Sequence, residues 1–86
     1  MKGSSNKKPR KELNVEEQLQ KLAKRIQQLR IEKGYTSQET FAYEKNLPRA
    51  QYGRYENGKD LRFTSLVRVI NAMDMSMAEF FSEGFD

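Results

Sequence analysis

Residues 36–59 read TSQETFAYEKNLPRAQYGRYENGK, and this segment contains the most specific structural signals of the chain. A capping box at Thr36-Ser37-Gln38-Glu39 predicts a short helix that ends at about residue 44. Asn46 then occupies a turn, because asparagine tolerates left-handed backbone better than most residues. Pro48 suits the start of a second helix, where its missing N–H is not needed. The pattern predicts two short helices joined by a turn of about three residues.

The second of these helices, predicted over residues 48–56, has an inner and an outer face. Tyr52 and Tyr55 lie on the inner face, and Asn57-Gly58 closes the helix. The outward residues are Arg49, Ala50, Gln51, Gly53 and Arg54. Arginine can donate two hydrogen bonds to a guanine edge, and a small methyl can contact the methyl of thymine. This helix is therefore predicted to enter the major groove of double-stranded DNA.

Further helices are predicted on both sides of this stretch. Apolar residues at helical spacing predict one from Val15 to about residue 33, with Asn14 as its cap. Its apolar residues are Leu19, Leu22, Ala23, Ile26, Leu29 and Ile31. A fourth helix is predicted over about 63–73, and a capping box at 76–79 opens a short fifth helix. The predicted fold class is all-α, with five helices.

The composition excludes several classes of protein. The chain has 86 residues, of which 36% are hydrophobic, and it contains no Cys, His or Trp. A Cys/His zinc site, a disulfide framework and a His-activated nucleophile are therefore impossible. There is no Gly-rich phosphate loop, and no apolar run approaches the roughly 18 residues of a membrane span. We expect a small cytoplasmic protein that is not an enzyme and needs no metal or cofactor.

The net charge of +4 is distributed unevenly along the chain. Residues 1–13 carry +4 and residues 45–62 carry +3, whereas residues 63–86 carry −3. A basic tail and a basic middle segment suit an anionic partner that is approached from one side. The tail has too few apolar residues to pack, so residues 1–13 are predicted to be a disordered basic tail and 14–86 the domain.

About 60 residues, from Leu22 to Phe81, resemble the phage-repressor helix-turn-helix family of the Cro and lambda-repressor type, also called XRE. The matching motifs are Arg25-x-x-x-Leu29-Arg30-x-x-Lys33-Gly34, Ser37-Gln38-Glu39-x-Phe41-Ala42, Arg54-Tyr55-Glu56-Asn57-Gly58-Lys59, Leu66-x-x-Val69 and Ser76-x-x-Glu79-Phe80-Phe81. Each motif alone is weak, but the ordered set at fixed spacing is specific. The resemblance implies a lambda-repressor-like domain that binds DNA.

The resemblance also implies roles for particular residues. Gln38, at the start of the first motif helix, and Asn57, after the second, would bond backbone phosphates. Arg49 and Ala50 would read bases, and Arg54 would read a base one turn later. Amide groups and helix N-termini position the DNA backbone, while contacts to base edges specify the sequence.

Other residues complete the predicted site. Gln51 faces outward on the same helix, while Lys59 and Arg62 either touch the DNA backbone or are ordinary surface charges. Gly53 costs the helix about 1 kcal/mol relative to Ala. It either lets a phosphate approach closely or makes room for the two neighbouring tyrosines. The predicted base-reading residues are Arg49, Ala50, Gln51 and Arg54, and the predicted phosphate-binding residues are Gln38, Gly53, Asn57, Lys59 and Arg62.

Several residues near the site are predicted to have structural roles. Glu56 is expected to form an ion pair with a Lys or Arg of the first helix. Lys45 stands where the family has an apolar residue, and its stem can cover the core while the ammonium stays in water. Tyr35 and Tyr43 are expected to be partly buried. At the other end, the apolar cluster Met73, Met75, Met77, Phe80, Phe81 and Phe85 is too large to face inward completely, which leaves room for a dimer contact.

These observations together predict a sequence-specific transcriptional regulator, a repressor, that acts as a homodimer on two half-sites about 10 base pairs apart. An antitoxin-like protein, which binds DNA and also binds a protein partner through the acidic C-terminal end, is an alternative. A pure protein-interaction module is another, but the charge of residues 45–62 disfavours it.

Overall fold

The computed structural model describes residues 12–86, and this part of the chain forms five α-helices and no strand. Their bounds are α1 Val15–Glu32, α2 Gln38–Glu44, α3 Arg49–Glu56, α4 Phe63–Ala72 and α5 Met77–Phe80. The predicted all-α class and the five-helix order are confirmed. Of the predicted tail, residues 1–11 lie outside the described part of the chain.

One apolar core joins the helices. Ile26 of α1, Phe41 of α2, Tyr52 of α3 and Val69 of α4 are all completely buried, as is Phe80 of α5. The remaining core residues are Leu29, Ala42, Leu47, Tyr55, Leu66, Ile70 and Met73. Each helix therefore contributes its inner face to a single cluster, and burial of these apolar side chains drives its packing.

The segment between α2 and α3 has the predicted left-handed residue. Asn46 has a φ of 59°, and the N–H of Leu47 donates to the carbonyl of Ala42 at 2.8 Å. The small Ala42 is fully buried where α2 meets α3. Residues 45–48 lie outside both helices, so the turn is longer than predicted. Pro48 is the N-cap of α3, with a φ of −63° and no side-chain cap hydrogen bond.

Three details of the prediction are wrong. The N-cap of α2 is Ser37 rather than Thr36, and the Ser37 hydroxyl accepts from the N–H of Thr40 at 3.1 Å. Thr36 and Ser37 both have the required chemistry, and only the backbone geometry distinguishes them. Ile31 is exposed because it lies on the outer face of α1, and Tyr43 is exposed because it follows the buried Ala42 on α2.

Arg25 of α1 fixes the C-terminal end of the chain. Its Nε donates to the carbonyl of Phe80 at 2.7 Å and its Nη2 to that of Glu79 at 2.9 Å. These bonds satisfy carbonyl groups at the end of α5, where no intrahelical donor is available. The predicted capping box of Ser76 and Glu79 is present at the start of this helix. The short α5 is thus held at both ends.

Candidate nucleic-acid interface

The outer face of α3 presents the predicted base-reading residues together. Arg49, Ala50, Gln51 and Arg54 are exposed, while Tyr52 and Tyr55 on the opposite face are buried. Gln51 accepts a long hydrogen bond of 3.5 Å from the Tyr55 hydroxyl. Within residues 12–86, the guanidinium groups of Arg49 and Arg54 have no hydrogen-bond or ion-pair partner inside the protein. Two guanidinium groups on one exposed helical face are free to bond an external acceptor.

A buried ion pair lies beneath this helix. The Arg30 Nε donates to the Glu56 Oε2 at 2.8 Å, and the Arg30 Nη2 donates to the Glu56 Oε1 at 3.0 Å. Both side chains are almost completely buried, and the hydrogen bond to Glu56 raises the pKa of Arg30. The prediction that Glu56 pairs with a cation of the first helix is confirmed. The pair fastens the C-terminal turn of α3 to α1.

Gln38 is attached to the same carboxylate. Its Nε2 donates to the Glu56 Oε1 at 3.0 Å, and the residue is half-buried at the start of α2. A Cβ atom added at Gly53 would lie 3.3 Å from the Gln38 Oε1. The structure thus brings Gln38 and Gly53 together, and the neighbour that occupies the space above Gly53 is Gln38 rather than either tyrosine.

Tyr52 carries a buried hydroxyl group without a hydrogen-bond partner in the described part of the chain. Burial raises the pKa of this phenol strongly, and the nearby Glu56 carboxylate raises it further. The ring packs against Phe41, with 5.3 Å between the centroids. Tyr52 is therefore a neutral core residue that cannot contact DNA.

An open polar cleft of about 450 Å³ separates α3 from α4. Three arginines line it, Arg54, Arg62 and Arg68, against a single carboxylate from Asp60. Among residues 12–86 these guanidinium groups have no internal ion-pair partner. Arg68 is not among the predicted site residues, because it lies in a segment of net negative charge. Arg68 lies one helical turn after Thr64 and Ser65, which line the same cleft, and this placement has no signal in the sequence.

The remaining predicted phosphate contacts lie at the end of α3. Asn57 is the exposed C-cap residue, and the exposed Lys59 follows it, with its N–H bonded to the carbonyl of Arg54 at 3.1 Å. Gly58 between them has a φ of 83°, which favours glycine. Neither side chain has an internal hydrogen bond in the part of the chain that the structure describes. The structure does not place these two residues in the arginine cleft.

Tyr35 and Lys45 lie beside the turn of the motif. The Tyr35 hydroxyl donates to the Glu44 Oε1 at 2.8 Å, and this bond raises the pKa of the phenol. The Lys45 Nζ lies 6.0 Å from the centre of the Tyr35 ring. Both residues are half-buried, which confirms the prediction for Tyr35.

No group of His, Cys, Asp and Glu side chains within residues 12–86 has the arrangement of a metal site. Over the same range, none of the helices has the length and apolar character needed to cross a membrane.

The family model described as helix-turn-helix matches residues 26–80. A search of the curated proteins finds no match.

Solved structures of restriction-modification controller proteins are similar to the chain. The wild-type controller protein C.Esp1396I is 34% identical with a TM-score of 0.65, and the match covers 74% of this chain and 83% of that one. The C.Esp1396I tetramer in complex with its natural 35 base-pair operator gives 32% identity, a TM-score of 0.66 and coverages of 74% and 84%. C.AhdI from Aeromonas hydrophila gives 32% identity, a TM-score of 0.65 and coverages of 74% and 97%.

Proposed function

Because the chain belongs to the XRE family of helix-turn-helix DNA-binding transcriptional regulators, we propose that it is a sequence-specific repressor that reads the major groove with residues 48–56. The observation that carries the proposal is the exposed face of α3. It presents Arg49 and Arg54, and both guanidinium groups lack an internal partner within residues 12–86. In the major groove, each can form a bidentate pair with guanine that contributes about 1–3 kcal/mol of discrimination.

The other residues of the site then divide into two groups. Ala50 and Gln51 read bases together with the two arginines, since all four share one exposed face. Phosphate contacts come from the surrounding residues Gln38, Asn57, Lys59 and Arg62, to which the position of Arg68 adds a further cation. Gly53 contributes to them through the room that it leaves for the Gln38 amide. The division of the chain into a basic tail, 1–13, and a DNA-binding domain, 14–86, belongs to the same proposal.

We propose further that the protein acts as a homodimer through its C-terminal end. Met77 and Phe81 are exposed to 39% and 40%, next to the buried Phe80. A single recognition helix gives little affinity, and two related helices on successive half-sites solve this problem. The assembly of C.Esp1396I as a tetramer on operator DNA supports a multimeric mode of binding. The same likeness makes genes of a restriction-modification system the first targets to test.

Selection from a random duplex library tests the proposal, with binding at two salt concentrations. We expect an enriched inverted repeat whose half-sites are about 10 base pairs apart.

Arg49→Ala and Arg54→Ala should each relax the preference at particular base positions. Asn57→Ala should instead weaken all sequences about equally. If both arginine variants keep the wild-type preferences, α3 is not the reading helix. Binding that depends on salt but enriches no sequence would rule out a specific regulator.

The exposed Met77 and Phe81 also support a second candidate, the antitoxin-like protein. In that case the acidic C-terminal end would bind a different protein rather than a second copy. Sedimentation of the purified chain distinguishes the two. A monomer at micromolar concentration that still binds DNA, and that co-purifies with one defined protein from its source, would favour the alternative.

A further inference from the structure

We propose that Glu56 and Gly53 are positioning residues, which fix the side-chain amide of Gln38 in the orientation that donates to a phosphate of the DNA backbone. The inference rests on the proposed DNA binding and assigns a part in it to two residues that need not touch DNA themselves.

The Glu56 side chain has a fixed position because buried hydrogen bonds restrain it. Two hydrogen bonds from Arg30, of 2.8 and 3.0 Å, engage both of its carboxylate oxygens. Arg30 is itself fixed by a third bond, from its Nη1 to the carbonyl of Tyr35 at 2.8 Å. The Glu56 side chain has no exposed surface. A carboxylate held in this way cannot move to follow a flexible partner, so the partner has to adapt to it.

The chemistry of the carboxylate determines which end of the Gln38 amide faces it. An ionised carboxylate only accepts hydrogen bonds, so Gln38 must turn its Nε2 toward Glu56 and its Oε1 away. The Nε2–Oε1 distance of 3.0 Å fits one such bond. The second N–H of Nε2 has no internal acceptor within residues 12–86. A phosphate oxygen is also only an acceptor, and this remaining N–H is the group that it requires.

Gly53 provides the space for the other end of the amide. The Gln38 Oε1 would lie 3.3 Å from a Cβ at position 53, which is closer than ordinary van der Waals contact. Gly53 lies inside α3 with an ordinary helical backbone, so its conformational freedom is not what the position needs. A glycine there weakens the helix, and the compensating benefit is room for the Gln38 oxygen.

The variant Gly53→Ala tests this arrangement without threatening the fold. Alanine favours the helix, so the midpoint of urea unfolding should stay the same or rise. The added methyl should shift the Gln38 amide by a few tenths of an ångström and weaken binding to the selected operator by at least about threefold, with a limit of about tenfold if the hydrogen bond to the phosphate is lost completely. Gln28→Ala, at an exposed glutamine of α1, is the control and should leave the Kd unchanged.

A double-mutant cycle separates positioning from direct contact. In the Gln38→Ala background, Gly53→Ala should change the Kd by less than about twofold, because the amide on which it acts is gone. An equal loss of affinity with and without Gln38 would overturn the inference, since it would mean that a phosphate packs directly on Gly53.

NMR of the free protein tests the orientation independently of DNA. The Nε2 proton of Gln38 that donates to Glu56 should resonate downfield of an ordinary glutamine amide proton and exchange slowly with water in the wild type, and both features should weaken in Gly53→Ala and in Glu56→Gln. If the Gln38 amide signals are unaffected by Gly53→Ala, the positioning role is wrong even if DNA binding is intact. If the wild type selects no operator while these signals change as expected, the proposed function fails and the internal arrangement stands.

Discussion

Glu56 links the stability of the protein to its proposed DNA-binding surface. Its carboxylate accepts from Arg30 in the core and from Gln38 at the surface. We expect Glu56→Ala to lower the free energy of unfolding by about 3–5 kcal/mol, because it leaves the buried guanidinium of Arg30 without a counter-ion. Urea unfolding measures this loss.

The control for this variant is Glu83→Ala. Glu83 pairs with Arg25 at 3.6 Å, but its side chain is 79% exposed, so its removal should cost no more than about 1 kcal/mol. Equal effects of the two variants would show that burial of the Arg30–Glu56 pair does not increase its contribution to the free energy of unfolding.

Tyr52 makes stability dependent on pH in the alkaline range. Its pKa is raised by burial, so it stays neutral in the folded state, whereas an unfolded tyrosine ionises at about pH 10. The unfolded state therefore loses a proton first, and the free energy of unfolding falls as the pH rises above about 10.

Tyr52→Phe should reduce this fall. It should also keep or raise the stability at neutral pH, by up to about 1 kcal/mol, because it removes an unpartnered hydroxyl. Identical alkaline slopes for the two proteins, from urea unfolding between about pH 9 and 11, would contradict the assignment.

At the level of single residues, the sequence predicts the kind of interaction that a side chain makes better than it predicts which residue lies next to it. Glu56 could be assigned to an ion pair, because an acidic residue between inward-facing positions needs a cation. The neighbour of Gly53 could not be found, because it comes from another helix and depends on how α2 and α3 cross. Arg68 was not predicted for a similar reason, because only the tertiary position of α4 beside α3 places it in the cleft.

The helices themselves were predictable because each has its own local signals. Apolar spacing, caps and Asn46 fix the order of α2 and α3 without knowledge of the tertiary structure. The sequence predicts the end residues of the helices less accurately, as the shift of the α2 cap from Thr36 to Ser37 shows. Two adjacent residues had the right chemistry there, and only the path of the chain into the core separates them.

The turn between α2 and α3 gives a prediction at the scale of elements. Asn46 has a φ of 59°, a conformation that costs residues with a Cβ about 1–2 kcal/mol unless the side chain compensates. Asn46→Ala should therefore lower the free energy of unfolding by about 1 kcal/mol. Asn46→Gly should have little effect, and urea unfolding compares the two. Equal losses would mean that the asparagine side chain, rather than its backbone, stabilises the turn.

At the scale of the whole molecule, the sign of the net charge changes between the middle and the C-terminal end of the chain. The basic segment 45–62 includes α3, whereas the net charge of 63–86 is negative, and exposed Phe81 lies in that second segment. If Phe81 lies in a dimer contact, Phe81→Asp should give a monomer by sedimentation and lower the affinity for a two-half-site operator. Unfolding of the diluted protein should change little.

Ile31→Asp is the matched control, since Ile31 is an apolar residue of α1 that is 54% exposed. It should leave the sedimentation coefficient and the operator affinity as they are. If both variants lose affinity equally, the effect is one of added negative charge and not of a contact between subunits.

The exposed residues of α3 have a consequence for how such a protein can diverge. The side chains of Arg49, Ala50 and Arg54 form no hydrogen bond with the rest of residues 12–86, so exchanging them costs little folding free energy. A duplicated gene can therefore acquire a new operator through a few codons while its product still folds. Arg30 and Glu56 cannot be exchanged at so small a cost, because they form a buried ion pair. The protein is thus suited to the engineering of mutually independent regulators from one scaffold.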